Sequence, residues 1–173
     1  MKKIFILFIT SLLLAGCNYT VTKHSLSGSK TTEGSIHNDF IYELEVIENK
    51  NEPVKIIASL TYIGEEDFIT ISHASSPFFF YITEKTRDYE INYAMDMPHL
   101  TTTLKKDEPL TTTYKPTGSY NDQSDEDDIK FIQQFLTGDY PVGKYEVVGE
   151  AQFTVEGEKE LSQMQASVEF EVK

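Results

Sequence analysis

The sequence predicts an all-β fold: an antiparallel β-sandwich of about seven strands with one short helix. The first observation is a period of two in hydrophobicity, which places one face of each strand on a core and the other in water. The second is the regular recurrence of turn residues between short segments, which is typical of a sandwich. The third is a single segment with helical spacing, near residues 126–137.

The period of two is clearest at the two ends of the predicted domain. Apolar and polar residues alternate over 40–46 and again over 54–62. Residues 145–155 and 166–172 alternate in the same way, and Gly157 lies in the turn that joins them into a hairpin. Five weaker strand candidates lie between these ends: 68–72, 78–83, 90–95, 101–104 and 110–114.

One segment departs from the strand pattern. Apolar residues recur at helical spacing over 129–136, and the preceding residues 124–127 resemble a capping box. Gly138 then supplies a stop signal. We therefore expect one short helix, about 126–137, across an end or an edge of the sandwich.

The N-terminal segment predicts the location of the protein. Two lysines precede an apolar run over residues 4–14, which suits a secretory signal and is too short to span a bilayer as a stable helix. The run ends in Leu14-Ala15-Gly16-Cys17, whose residue types resemble those of a lipobox. The resemblance implies a signal peptide over residues 1–16 and a diacylglyceryl thioether on Cys17, which is the only cysteine in the chain.

These features predict a palmitate-bearing lipoprotein at the cell membrane, facing the extracytoplasmic side. Two acyl chains make such an attachment effectively permanent, whereas a single chain leaves it reversible. Two alternatives stay open at this point. One is an ordinary cleaved signal peptide with an incidental cysteine, and the other is a simple transmembrane anchor.

Composition narrows what the mature chain is expected to do. Removal of residues 1–16 leaves 157 residues, enough for one domain with its own core, and takes the net charge from −13 to −15. This acidity argues against nucleic acid as a partner, because phosphate contacts need clustered basic side chains. Residues 17–34 are small and polar without a hydrophobic period, so we expect a flexible tether there and a single domain over 35–173.

Short motifs in the second half resemble a bacterial immunoglobulin-like layout. Leu104-Lys105-Lys106-Asp107-Glu108 resembles a turn of the form leucine, two residues, glycine-glutamate, with aspartate in place of glycine. Pro141-Val142-Gly143-Lys144-Tyr145 resembles the proline-glycine-tyrosine corner that opens the penultimate strand. The resemblance covers about residues 40–173 and is to Bacillus-group lipoproteins of the YhfM type and, more distantly, to the intracellular proteinase inhibitor family (BsuPI).

That resemblance implies an immunoglobulin-like sandwich. It also implies that the Tyr145 hydroxyl bonds back to nearby backbone as a tyrosine corner, which is a structural role. No segment of this sequence matches an inhibitory loop of the proteinase inhibitor family. Inhibitor activity is therefore not carried over, and protease inhibition rests on fold analogy alone.

The strongest candidate for a binding surface is a run of four aromatic residues, Phe78, Phe79, Phe80 and Tyr81. Successive side chains of a strand alternate, so two of the four must face away from the core. If these two are open to solvent, they form an apolar patch of the kind that marks a partner surface. The alternative is that the helix or a loop covers them and makes a second small core.

No catalytic or metal constellation is apparent, so we expect neither an enzyme nor a cofactor. His73 and His99 have no second histidine or cysteine at ligand spacing. The acidic run over 121–128 lacks the spacing of a calcium loop, and carboxylates at a helix start account for it.

The sequence thus predicts a non-catalytic interaction module that contacts the membrane through lipidated Cys17 and an envelope or extracellular protein through its domain. An extracytoplasmic receptor for a ligand or peptide is the alternative. It calls for an enclosed apolar pocket.

Overall fold

The computed structural model describes residues 18–25, 28–50, 52–91, 93, 95–119 and 125–173. Within these ranges the chain forms eleven strands and one helix. In chain order they are β1 (Asn18–Ser25), β2 (Gly28–His37), β3 (Phe40–Asn49), β4 (Lys55–Tyr62), β5 (Phe68–His73), β6 (Phe78–Glu84), β7 (Tyr89–Ile91), β8 (Leu100–Lys105), β9 (Leu110–Thr113), α1 (Glu126–Leu136), β10 (Gly143–Val155) and β11 (Ser162–Val172).

The strands form two antiparallel sheets. The first sheet has the order β1-β2-β3-β4-β9. In the second sheet β10 pairs with β11 along one edge and with β6 and then β5 along the other, while β7 extends β6 and β8 extends β5. The predicted antiparallel sandwich with one short helix is confirmed.

The centre of each sheet has the strand order of an immunoglobulin-like sandwich. In the standard strand letters of the immunoglobulin fold, β3, β4 and β9 correspond to strands A, B and E of one sheet. Strands β6, β10 and β11 correspond to strands C, F and G of the other. The predicted tyrosine corner is present at the start of β10, where the buried Tyr145 hydroxyl donates a 2.6 Å hydrogen bond to the Pro141 carbonyl.

Asp107, which replaces glycine in the turn motif after β8, has a φ of 61°. The turn therefore needs the left-handed conformation that glycine adopts most easily, and aspartate is among the residues that tolerate it. The Asp107 backbone N–H donates to the Tyr62 carbonyl at 2.9 Å, which ties this turn to the end of β4.

The structure corrects the prediction for residues 17–34. The described part of this segment is not a tether: β1 pairs with β2, and β2 with β3, so the sheet begins at Asn18 and the strand count exceeds seven. Polar pairs across the strands stabilise the hairpin, including a 2.5 Å hydrogen bond from the Tyr19 hydroxyl to Glu43 and an ion pair between Lys30 and Glu45. A strand whose two faces are both polar has no hydrophobic period, which is why the pattern missed it.

The core lies between the inner faces of the two sheets. From the first sheet it takes Phe40, Tyr42, Leu44, Val46, Ile56, Ala58, Leu60 and Tyr62; from the second it takes Ile71, Phe78, Phe80, Ile82, Tyr145, Val147, Ala151, Phe153, Met164, Val168 and Phe170. These residues alternate along their strands with half-buried or exposed ones, as the period of two predicts.

Helix α1 spans Glu126–Leu136, close to the predicted bounds. Asp125 is the N-cap, and its carboxylate accepts hydrogen bonds from the backbone N–H groups of Asp127 and Asp128. Gly138 follows the C-cap with a φ of 84°, which is the predicted stop. In the part of the chain described here, no helix has the length and apolar character needed to cross a membrane.

Candidate functional site

Strand β6 divides the aromatic run between the two faces of its sheet. Phe78 and Phe80 point into the sandwich and are almost fully buried, so they belong to the core and are not available to a partner. Phe79 is half-buried and Tyr81 is exposed, with 47% of its surface open. The predicted binding residues are thereby reduced to Phe79 and Tyr81, because strand alternation assigns the other pair to packing.

Tyr81 lies on the outer face of the second sheet. The pairing register places it beside Val148 of β10, while Phe79 lies beside Glu150. Partial burial raises the pKa of the Tyr81 hydroxyl, and the negative charge of Glu150 raises it further. Tyr81 therefore presents a protonated hydroxyl, a hydrogen-bond donor, at the end of an open ring.

Phe79 connects this face to the edge of the sheet. Its ring meets Tyr93 edge-on, at 6.4 Å between centroids, so the segment after β7 covers one side of it. Its other side lines an open cleft of about 530 Å³. The alternative prediction was that a loop covers the outward-facing aromatic residues. It is correct for part of Phe79 but not for Tyr81.

The cleft lies where β5 and β8 meet the turn between β10 and β11. Its walls combine apolar side chains with imidazole and carboxylate groups. They include Phe79, His73, Met97, His99, Glu156, Glu158 and Leu161. Met97 and Leu161, which both line this cleft, are 72% and 58% exposed, respectively, so the cleft has apolar surface open to solvent.

Sequence reasoning treated His73 and His99 as unrelated, and the structure brings them to the same cleft. Strands β5 and β8 pair antiparallel, with His73 opposite Leu100. His99 directly precedes Leu100 in the chain. The pairing of β5 with β8 places both histidines at one end of the sheet, and nothing in the spacing of the sequence indicates that pairing.

His73 is held in a defined orientation. Its Nδ1 lies 2.7 Å from the Ala74 carbonyl oxygen and its Nε2 lies 2.7 Å from the Thr102 hydroxyl. Since a carbonyl oxygen only accepts, Nδ1 carries the proton, and in the neutral ring Nε2 accepts from Thr102.

The buried Glu84, at the opposite end of β6, is a structural group. Its carboxylate accepts hydrogen bonds from the backbone N–H groups of Thr86 and Arg87 and from the Arg87 guanidinium, all at 2.9–3.0 Å. Burial alone would raise the pKa of this carboxyl, but the hydrogen bonds outweigh burial and hold the pKa below its ordinary value. The carboxylate closes the turn between β6 and β7.

The other predicted sites, Cys17 and the acidic run over 121–128, lie wholly or partly outside the residues that the structure describes. Cys17 and residues 121–124 of the acidic run lie outside the described residues. The rest of that run begins α1, where Glu126 and Lys130 form an ion pair at 3.0 Å. In the described ranges, no three histidine, cysteine, aspartate or glutamate residues are grouped so that they hold a metal ion.

Comparison with known proteins gives no further guide to the site. The chain matches no protein-family model, and neither the curated proteins nor the solved structures contain a match.

Proposed function

We propose that this protein is a lipid-anchored, extracytoplasmic interaction module that binds another envelope or extracellular protein through the outer face of β6. The observation that carries the proposal is Tyr81, an aromatic ring with almost half of its surface open on the outer face of the second sheet. Tyrosine is enriched at protein interfaces because it combines a large rigid ring with a hydrogen-bonding hydroxyl.

The position of β1 determines how close a lipid on Cys17 would hold the domain to the membrane. The first strand starts at Asn18, immediately after Cys17 in the chain, and continues into the first sheet. A lipid on Cys17 would therefore hold the domain directly at the bilayer surface, without a flexible spacer. A partner within the same membrane or bound to its surface would lie within reach of the domain.

The alternative of a ligand receptor is less well supported. It calls for an enclosed apolar pocket, and the cleft beside Phe79 is open to solvent and has carboxylates in its wall. The interaction module needs only an exposed patch, which Tyr81 and Phe79 supply.

The anchor is tested by growing cells that express the full chain with an alkyne-bearing fatty acid and analysing the N-terminal peptide by mass spectrometry. We expect the label on Cys17, and we expect Cys17→Ser to remove the label and release the protein from membranes. An unlabelled protein that remains bound to membranes would contradict the anchor.

The binding face is tested by photo-crosslinking in the same cells, with p-benzoylphenylalanine in place of Tyr81. The matched control carries the same group in place of Thr111, an exposed residue on the other sheet. We expect one discrete adduct from position 81 only. Equal adducts from both positions, or none from position 81, would refute this face as the interface.

A further inference from the structure

We propose that the free edge of β11 binds an extended basic segment of another protein, which joins the second sheet as an additional strand. This edge is separated from β6 by β10, and its binding does not depend on the proposed interaction through Tyr81. Three features carry the proposal: the length of the unpaired edge, the direction of its backbone groups, and uncompensated carboxylates on the part of the first sheet beside it.

Among the described strands, β11 forms the longest edge of either sheet. Its 11 residues pair with β10 without interruption, from Ser162 opposite Phe153 to Val172 opposite Gly143. Within the described ranges, no strand pairs with its other side. Natural proteins commonly protect such an edge with lysine, proline or a β-bulge. Residues 162–172 include neither lysine nor proline, and the register has no bulge, so the edge is open to pairing along its whole length.

The hydrogen bonds of β10 show which backbone groups of β11 point to the free edge. The Gln152 N–H donates to the Pro77 carbonyl and the Lys144 carbonyl accepts from the Lys85 N–H, so the even-numbered residues of β10 bond on the β6 side. Alternate residues of an antiparallel strand bond to opposite neighbours, so the odd-numbered residues of β10 bond to their partners in β11. The β11 residues between those partners direct their N–H and C=O groups away from β10. These residues are Gln163, Gln165, Ser167, Glu169 and Glu171.

The first sheet limits what can occupy this edge. Strand β11 packs against β2 and β3, and β1 lies on the far side of β2, so the first sheet continues past the edge of the second. Strands of one sheet lie about 4.8 Å apart. A second copy that paired its own β11 with this edge would therefore bring its β1 into the space that β1 of the first copy occupies. A single extended segment is only one strand wide and fits above the β1–β2 hairpin.

Two carboxylates of the first sheet make this space acidic. Glu33 lies on β2 opposite Leu44, and Glu48 lies on the same face of β3 as Leu44. That face points toward the second sheet, because Leu44 is a core residue. The hydroxyl groups of Thr20 and Ser29 donate to Glu33 and Glu48, respectively, and in the described part of the chain neither carboxylate has a cationic partner. Basic side chains of an incoming strand supply that partner.

The charged groups on the outer side of the edge compensate one another. Glu169 forms an ion pair with Lys85 at 2.6 Å, and Glu171 forms one with Lys173 at 3.2 Å. Lys144 lies opposite Glu171 in the pairing of β10 with β11. The uncompensated negative charge beside β11 is therefore on the inner side, which favours a segment whose basic side chains point inward.

The spacing of the two carboxylates defines the probe. Ser29, which pairs with Glu48, lies four residues from Glu33 on β2, and four residues span about 13 Å along a strand. Lysines four residues apart in an extended peptide lie on one face with the same separation. The probe is therefore the peptide TKTVTKT with fluorescein at its N-terminus, and the control peptide has glutamate in place of both lysines.

Fluorescence anisotropy measures the affinity of the probe for the full chain at low ionic strength. We expect Ser167→Pro to weaken binding by about fivefold or more, because proline removes an outward N–H and leaves the bonds to β10 in place. Ser167→Ala is the matched control: it loses the same hydroxyl, which donates to Glu146, but keeps the N–H, and should bind as the wild type does.

Two further measurements test the site even if Ser167→Pro does not fold. The double variant Glu33→Gln with Glu48→Gln should weaken binding by about threefold. Hydrogen exchange followed by mass spectrometry should show that the probe slows amide exchange over residues 162–172, because the outward N–H groups become bonded.

Four results would each overturn the proposal. An unchanged affinity in folded Ser167→Pro would exclude the backbone of β11 as the binding edge. Equal binding of the control peptide would exclude a basic segment as the occupant. Loss of binding in Tyr81→Ala would place the probe on the outer face of β6 instead. A dimer in light scattering that Ser167→Pro abolishes would assign the edge to a second copy of the chain.

Discussion

The two ends of the second sheet differ in how completely they are packed. At the helix end, Phe135 is fully buried, Tyr140 meets it edge-on at 4.7 Å, and the Arg87 guanidinium lies 5.4 Å from the centre of the Phe131 ring. At the cleft end, Met97 and Leu161 expose most of their surface. Packing alone accounts for the residues of the helix end. Val142 is exposed at the helix end as well, so the difference is that Met97 and Leu161 both line one concave surface.

The polar side chains at the two ends are also held differently. Glu84 is inaccessible, and each of its oxygens accepts a hydrogen bond from a neighbouring residue. His73 is half-buried at the edge of the cleft, and the acceptor lone pair of its ring is satisfied only by a hydroxyl that rotates freely. The hydrogen bonds of Glu84 fix the turn after β6, whereas the two hydrogen bonds of His73 fix the orientation of its ring at the end of β5.

The largest effect on stability is expected from Phe135→Ala, which leaves a cavity where the buried Phe135 ring packs beneath α1. Loss of a fully buried aromatic side chain should lower the free energy of unfolding by about 3–5 kcal/mol. Leu136→Ala is the matched control, because Leu136 lies on the same helix and is partly exposed. Chemical denaturation of both variants measures the difference. Equal losses would show that α1 is not anchored through Phe135.

A smaller effect is expected from Glu84→Gln. Removing the charge weakens hydrogen bonds to a buried carboxylate and should cost about 2 kcal/mol at pH 7. Because the folded pKa is below the ordinary 4.5, this contribution is complete above pH 4.5 and is lost as the pH falls through the folded pKa.

Urea unfolding at pH 7 and at successively lower pH values measures this dependence. The difference in the free energy of unfolding between wild type and Glu84→Gln should disappear at acidic pH, where Glu84 becomes protonated and resembles glutamine. Glu169→Gln removes an exposed carboxylate that pairs with Lys85, and should change stability much less than Glu84→Gln does. A gap that is constant with pH would mean that the charge of Glu84 does not stabilise the fold.

The sequence predicted the helix end better than the cleft end. The stop at Gly138 depends on residues a few positions apart, so local rules are sufficient to predict it, and the corner at Tyr145 was implied by a short motif resemblance. The N-cap is Asp125, one residue later than a capping box over 124–127 implies. The alternation in β10 identified its buried face for the same reason.

The cleft depends on non-local pairing. His73 and His99 line one cleft because β5 pairs with β8, and no rule of spacing predicts which strands become neighbours. The β1–β2 hairpin was missed for a related reason, since its stabilising contacts, such as the one between Tyr19 and Glu43, are polar and cross from strand to strand. The period of two did predict that half of the aromatic run faces outward, which the exposure of Tyr81 confirms.

The smallest effect on stability is expected at the cleft end. Met97→Ser and Leu161→Ser remove apolar surface that is already in contact with water, so each should change the free energy of unfolding by no more than about 0.5 kcal/mol. The measurement is denaturation at two protein concentrations tenfold apart. A loss above about 1 kcal/mol that grows with protein concentration would show that the cleft is covered by a second copy of the chain in solution. Concentration-independent stability, together with a negligible loss, would leave the contrast between the two ends intact: one end stabilises the fold, and the other remains free to bind.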